Sequence, residues 1–399
     1  MKKIMILGGN VFQSTVIKRA KELGYYVISV DYLPDNPGHK FSDEYHNISI
    51  VDKENVLALA KKLNIDGILA YASDIAAPTA AYVSEQLNLP TNPYKSVMIL
   101  THKNLFRSFM KDNNFLAPDG GKSFSDREKA REYLKELELP VMIKPVDSSG
   151  SKGVTKIMSP NDFEAAFDEA MSYSISKEII MEHFIQKAGY RVDGEGFIKD
   201  GKIAFFGVMD QHNNVECNPY PPIGSSYPSI QAQAIQQKAK EIVQSIFDKL
   251  GMRFGGFNSE YIVDDKGEIY LLEIGPRHGG NFIPDTIKTA SGIDMIEASI
   301  RACVGDKYDE TFQKRHEGIA TSYAIHSLES GVFESLKVHP DIEKRIVKQA
   351  LNISPGDSVN AFRNGGDSIG CMVLRFDNIH DMNEKMDQMW KYVEVVLRR

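Results

Sequence analysis

Residues 255–280 read GGFNSEYIVDDKGEIYLLEIGPRHGG. Two apolar runs flank the turn signal Lys266-Gly267, which predicts a β-hairpin. With a loop of two or four residues, Glu260 and Glu273 face each other across the hairpin. Opposed residues share one face of the sheet, with Cβ atoms about 5 Å apart. Two facing carboxylates repel unless a cation lies between them. Oxygen ligands of this kind suit Mg²⁺ with phosphates completing its shell. A solvated pair of strand glutamates is the plainer alternative. The buried look of Tyr270-Leu271-Leu272 before Glu273 favours the metal, whereas a three-residue bulged loop would shift the register. Beyond the hairpin, Arg277 has the planar fork to hold an anion bidentately.

A second stretch lies upstream. Residues 141–154 read VMIKPVDSSGSKGV. An apolar strand carries Lys144 and opens at once into a loop of small residues. Backbone N–H groups and hydroxyls in such a loop can cradle a polyphosphate, with Lys144 as a fixed point charge. The Walker A pattern is absent. Taken alone, the stretch reads equally well as an ordinary glycine-rich hairpin with a snorkelling lysine. Between the two blocks, EIIMEHFI (178–185) has the look of a strand ending in a hinge, with Glu182 near its end.

The N-terminal region alternates strands (2–7, 26–30, 67–72) with helical patterns, as a parallel sheet does. Its turn, Gly8-Gly9-Asn10, lacks the third glycine of a dinucleotide fingerprint, although Asp31 sits where a ribose-binding acid would. A tight turn is the preferred reading over NAD binding. Further on, residues 96–114 predict one helix bearing Lys103. Helices are also expected at 229–250, 284–304 and 380–397. The stretch DQHNNVECNPYPPIGSSYPS (210–229) reads as an ordered loop over a site. It offers His212, Glu216, Ser225, Ser226 and Tyr227 as substrate candidates. Arg363, on a turn, is a weaker one.

The chain has 399 residues, 42% hydrophobic and 25% charged, which suits several folded domains. A net charge of −7 argues against nucleic-acid and anionic-membrane partners. Three scattered cysteines form no disulfide framework and no zinc spacing. The apolar start MKKIMIL is cut short by GGN and then by Lys18 and Arg19, unlike a signal peptide. A cytoplasmic, soluble protein is expected.

The ordered set resembles the ATP-grasp superfamily: Lys103, then Lys144 with its loop, then Met181–Ile185, then Glu260 and Glu273 running into Glu-Ile-Gly-Pro-Arg. The resemblance spans roughly residues 1–325, more weakly the remainder. It implies an α/β architecture with the ATP-grasp fold. The parts would be an N-terminal Rossmann-like domain of the biotin carboxylase type (1–95), a linker helix (96–116), a small α+β lid (117–190), a catalytic subdomain (191–325) and a C-terminal α+β piece (326–399). ATP would contact Lys103, Lys144 and the loop Ser148, Ser149, Gly150, Ser151 and Gly153. Glu182 and the backbone of His183 and Ile185 would hold adenine. Glu260 and Glu273 would carry Mg²⁺, with Mn²⁺ as the alternative. Arg277 and Lys144 would be catalytic.

The sequence departs from the superfamily where an Asn usually follows the second glutamate by two residues. Gly275 stands there, and Asn258 or Asn281 is the substitute. Asp193 stands in for an acid expected soon after the hinge. The expected reaction is ATP-dependent joining of a small carboxylate to an amine through an acyl phosphate. A bicarbonate-activating carboxylase and a non-catalytic ATP-binding module are the alternatives. Many proteins of this shape are dimers, so a homodimer is among the expectations.

Overall fold

The computed structural model describes residues 1–214, 216–313 and 315–398. Among these, the strands form four sheets. The first is parallel, in the order β3-β2-β1-β4, from β1 (Lys3–Leu7), β2 (Tyr26–Val30), β3 (Glu44–His46) and β4 (Gly67–Ala70). Helix α1 (Val11–Glu22) starts at the GGN turn. The Asn10 side chain accepts from the N–H groups of Phe12 and Gln13, while Gln13 accepts from the Asn10 N–H, a reciprocal cap. Asp31 accepts from Gly9 N–H at 3.0 Å, Leu33 N–H at 3.1 Å and Asn36 Nδ2 at 2.8 Å. A Cβ on Gly9 would lie 2.2 Å from the His39 ring. The turn is thus filled by the chain itself, and Asp31 anchors it. Helices α2 (Lys53–Leu63) and α3 (Ala77–Gln86) cover the sheet.

The helix expected over 96–114 is two helices, α4 (Tyr94–Thr101) and α5 (Lys103–Asp112). His102 is extended between them, with φ −117° and ψ 114°. This break brings Lys103 to the first position of α5, where its N–H reaches the Val146 carbonyl at 2.8 Å.

The second sheet runs β5-β8-β6-β7, from β5 (Lys122–Phe124), β6 (Val141–Pro145), β7 (Thr155–Ile157) and β8 (Ile179–His183). Val141, Ile143, Ile179 and Met181 bury one face against α6 (Arg127–Leu134) and α7 (Phe163–Tyr173). Strand alternation then sends Lys144 and Glu182 to the other face.

The third sheet has eight strands in the order β13-β12-β9-β10-β11-β14-β18-β16. They are β9 (Arg191–Lys199), β10 (Lys202–Asn214), β11 (Asn218–Tyr227), β12 (Phe254–Val263), β13 (Ile269–Gly275), β14 (Ile319–Ile325), β16 (Ile346–Leu351) and β18 (Gly370–Phe376). It continues past residue 325, since β14 pairs with β18. Helix α8 (Gln233–Leu250) packs on it with Val243, Ile246 and Phe247 in the core. The stretch 210–229, expected as a loop, supplies most of the β10–β11 hairpin. Its prolines coincide with register breaks near His212–Asn214, where a ladder tolerates them. The expected helix 284–304 is split into α9 (Ile283–Ser291) and α10 (Met295–Cys303) at Gly292, whose φ of 79° ends the first.

The fourth sheet, β17-β15-β19, contains β15 (Gly331–Val338), β17 (Ser358–Val359) and β19 (Val393–Arg398). The C-terminal helix expected over 380–397 is therefore corrected. After α11 (Pro340–Glu343), α12 covers only Ile379–Met386. The tail VEVVLR is rich in β-branched residues and pairs with β15, placing Val393 beside Val338. Among the described residues no helix is long and apolar enough to cross a membrane.

Candidate active site

The site is built on one face of the large sheet. Tyr261 pairs with Leu271, Ile262 with Tyr270 and Val263 with Ile269 around the turn Asp264–Glu268. That odd-length turn alone would set Glu260 opposite Leu272. A bulge at Leu272 shifts the ladder by one, and Glu260 pairs with Glu273. The expected opposition is present, but through a bulge rather than an even loop. On the next strand Asp193 pairs with Glu260, so three carboxylates stand in one row across β13, β12 and β9.

Each acid of the row has partners from elsewhere. Lys103 Nζ lies 3.2 Å from Glu273 Oε2 and donates to the Ser148 carbonyl at 2.8 Å. Arg191 donates to Glu260 at 2.9 Å. Burial opposes ionisation of Glu273, yet Lys103 and Arg277 outweigh it and lower its pKa to about 2. Burial and the charge of Glu273 push Glu260 up. Burial, then Glu260, raise Asp193 to about 7.

Gly275 pairs with Asn258. A Cβ at Gly275 would stand 2.7 Å from both the Arg277 guanidinium carbon and Asp74 Oδ1. Arg277 is ion-paired with Asp74, which follows β4 in the N-terminal sheet. A side chain at 275 would therefore have to displace the ends of this ion pair. Facing it, Asn258 donates Nδ2 to Glu195 Oε2 at 3.1 Å, which directs its Oδ1 elsewhere. Glu195 also accepts from His278 and from the Gly279 N–H.

The small sheet β5-β8-β6-β7 and α5 contribute a second charged group. Lys144 and Arg107 of α5 both donate to Glu182, Arg107 Nε at 2.9 Å. Glu182 is 1% exposed. Burial would raise its pKa, but Arg107 and Lys144 lower it to about 2. Its two oxygens thus serve Arg107 and Lys144. The His183 N–H is taken by the Asp119 carbonyl at 2.8 Å. Ile185, half-buried, lies just past the end of β8.

A cleft of about 700 Å³ joins these parts. Ser149, Gly150, Glu260, Glu273, Arg277, Asn281 and Ser225 all border it. Lys103 and Ser148 border the adjoining cavity, with Ser149 and Glu273 common to both. Lys144 stands behind the cleft, close enough for its charge to lower the pKa of Glu273. Gly153 sits against α7, where a Cβ would meet the Ala170 Cα at 3.1 Å, so it serves loop packing. Ser151 holds φ 58° in the same loop without bordering the cleft.

Two substrate candidates are corrected outright. His212 points to the opposite face from Gln211 and bonds Asp387 at 2.7 Å and Ser226 at 2.8 Å. Ser226 goes with it, donating to Thr321 Oγ1 at 3.0 Å. Glu216 is exposed at the far end of the β10–β11 hairpin, away from the cleft, and Arg363 is likewise exposed. Tyr227 ends β11 outside the cleft lining. Sequence reasoning missed Asp74, Arg107, Arg191 and Gln211. Strand parity could have found Gln211, because it lies two pairings along from Asp193 on the same face.

The family model for the ATP-grasp domain matches residues 137–285, which hold β6, β8 and the whole β12–β13 hairpin. Residues 137–285 thus carry an ATP-grasp domain. Among similar proteins is a formate-dependent phosphoribosylglycinamide formyltransferase of Prochlorococcus marinus (strain NATL2A), 23% identical over 411 residues, covering 99% of this chain and 98% of its own. The ATP-grasp fold is shared over its full length with an L-amino acid ligase from Bacillus licheniformis. That structure has TM-score 0.84 and 18% identity, covering 100% of this chain and 99% of its own. The biotin carboxylase domain of Hydrogenobacter thermophilus 2-oxoglutarate carboxylase, a dimer solved with MgADP, ADP and bicarbonate, follows at TM-score 0.75 and 17% identity. It covers 99% of this chain and 90% of its own.

Proposed function

We propose that this protein is an ATP-dependent carboxylate–amine ligase acting through an acyl phosphate. The observation that carries the reading is the single cleft bordered by the Ser149–Gly150 loop, the Glu260–Glu273 pair and Arg277. In this reading residues 117–190 act as the lid and 191–325 as the catalytic unit. Residues suited to the metal are Glu260 and Glu273, two half-buried acids on one face, with the free Oδ1 of Asn258 beside them. Two carboxylates suffice for Mg²⁺ when phosphates complete its shell. Bound there, Mg²⁺ would neutralise charge on the transferring phosphoryl group.

An ionised carboxylate is a poor electrophile, because an attacking amine would have to expel oxide. Phosphorylation turns that oxygen into a leaving group. Phosphoryl transfer requires alignment and charge neutralisation more than covalent help. Lys103 and Lys144 supply positive charge, and the loop Ser148–Gly153 closes over the phosphates and excludes water. Arg277 faces the carboxylate being activated, and its Nε is buried with no partner of its own. The amine then forms the C–N bond, the acyl C–O bond breaks, and phosphate leaves with the electron pair. The surplus amine proton passes to phosphate or solvent. With Glu182 engaged, adenine falls to the backbone around His183–Ile185.

The test is ADP release across panels of amino acids and small acids, bicarbonate included, with hydroxylamine added to trap acyl phosphate as hydroxamate. Release that depends on both an acid and an amine is the expected result. ATP binding without turnover under every combination would sink the reading.

A further inference from the structure

Beside the carboxylate row, the cleft floor carries a second polar group that the reaction above does not use. Gln211 of β10 is 1% exposed and Asp193 of β9 is 2% exposed, and both border the cleft. Gln211 donates its amide nitrogen to Asp193 Oδ1. Ser225 of β11 donates to Asp193 Oδ2 at 2.5 Å. These two donors fix the pair. Gln211 presents its nitrogen to Asp193, so Oε1 is turned away, and that oxygen is buried with no partner. An orphaned acceptor in a closed site costs roughly 1–3 kcal/mol unless a ligand supplies the missing N–H. Next to it lies a carboxylate with lone pairs to spare. Together they read a donor-rich group, as an amine or ammonium is.

The charges around the cleft narrow the class further. Asp35, Asp74 and Asp193 border it in addition to Glu260 and Glu273. Against these, the cations among its described lining residues are Lys152 and Arg277, and Arg277 is already paired with Asp74. The wall made by Asn352, Ser354, Gly365, Gly366 and Ser368 is neutral. A phosphoryl group carries close to two negative charges at neutral pH. Five acids against Lys152 and Arg277, the latter committed to the carboxylate being activated, make a poor seat for a second dianion.

We infer that Gln211 and Asp193 form the recognition site for the attacking amine, and that this amine carries no phosphate. This rests on the ligase reading and names the acceptor class at the same cleft. The acceptor is an amino compound such as a free amino acid. A phosphorylated sugar amine does not fit.

The experiment uses the full chain with Mg²⁺ and ATP. Positional isotope exchange in ATP with the acid alone tests acyl phosphate formation, and its absence with every acid would remove the ligase reading beneath the proposal. With exchange present, the amine probes are glycine, serine and O-phosphoserine. Serine is expected to exceed O-phosphoserine in kcat/KM by at least about tenfold. Gln211→Met and Asp193→Asn are each expected to raise KM for the amine about tenfold or more, leaving KM for ATP within about twofold. Preference for O-phosphoserine overturns the proposal. So does use of none of the three, or an unmoved amine KM in both variants. A raised Mg²⁺ requirement with the amine KM unmoved would assign the pair to the metal and overturn it as well.

Discussion

The small sheet β5-β8-β6-β7 and the floor of the large sheet have opposite electrostatic designs. At the small sheet, two cations, Lys144 of β6 and Arg107 of α5, enclose a single acid, Glu182 of β8. On the floor, three acids, Glu273, Glu260 and Asp193, share Lys103 and Arg191. The Glu182 cluster keeps a surplus positive charge and a buried Arg107 Nη1 with no partner. The floor is short of positive charge, and burial and neighbouring charge push Glu260 and Asp193 toward their neutral forms. A surplus cation above and a shortage below match a polyphosphate held over a divalent ion. Neither half alone would suggest one, and the comparison assigns each half its task.

Removing one group from each half breaks the comparison most severely. Lys144→Ala and Glu273→Ala are each expected to cut turnover by about 10²–10³-fold or more, the scale seen when one preorganised charge contact is lost. ADP release measures this, with far-UV circular dichroism confirming an unchanged fold. Normal turnover in both variants would leave the cleft without its proposed chemistry.

The Glu182 cluster carries a pH signature. Glu182 has its folded pKa depressed to about 2 from an ordinary value of 4.5. The folded state binds this proton more weakly than the unfolded chain. The stability it contributes is fully present above about pH 4.5 and is lost as pH falls toward 2. Glu182→Gln leaves Lys144 and Arg107 buried without a counter-ion, and about 3 kcal/mol of stability should go at neutral pH. The variant should also lose less than the wild type between pH 5 and 2. Denaturant titrations at a series of pH values measure both, and parallel curves for the two proteins would contradict the cluster.

A third change sharpens the floor. Gly275→Asn restores the side chain usual in the superfamily, but its Cβ would press on Arg277 and Asp74 at 2.7 Å. Overpacking of this kind costs about 1–3 kcal/mol. Thermal unfolding should show it, and Asp74→Ala in the same chain should recover part by giving Arg277 room. No recovery would mean that the pair is not what excludes the side chain.

Much of this site was legible in the sequence because it follows strand parity and chain order. Lys103, Lys144, Glu260, Glu273 and Arg277 were readable as an ordered series, and the two glutamates do face each other. The bulge at Leu272 that makes them do so leaves no composition signal. Long-range partners were equally hidden: Arg107 meets Glu182 across 75 positions and Asp74 meets Arg277 across 203. The tail failed for another reason. IHDMNEKM is helical and VEVVLR is not, yet the two run together without a Gly or Pro to mark the change.

The smallest expected effect separates two neighbours on one strand. Gln211 faces the cleft, whereas His212 faces the packed side, bonded to Asp387 and Ser226. Sequence alone favoured the histidine, because imidazoles so often do chemistry. Strand alternation decides otherwise. His212→Ala should leave kcat and the amine KM within about twofold. Stability should fall by about 1–3 kcal/mol, since Ser226 keeps Thr321 but Asp387 loses a buried partner. Steady-state kinetics beside thermal unfolding would read both numbers. A large rise in amine KM with intact stability would move the acceptor to the other side of the sheet.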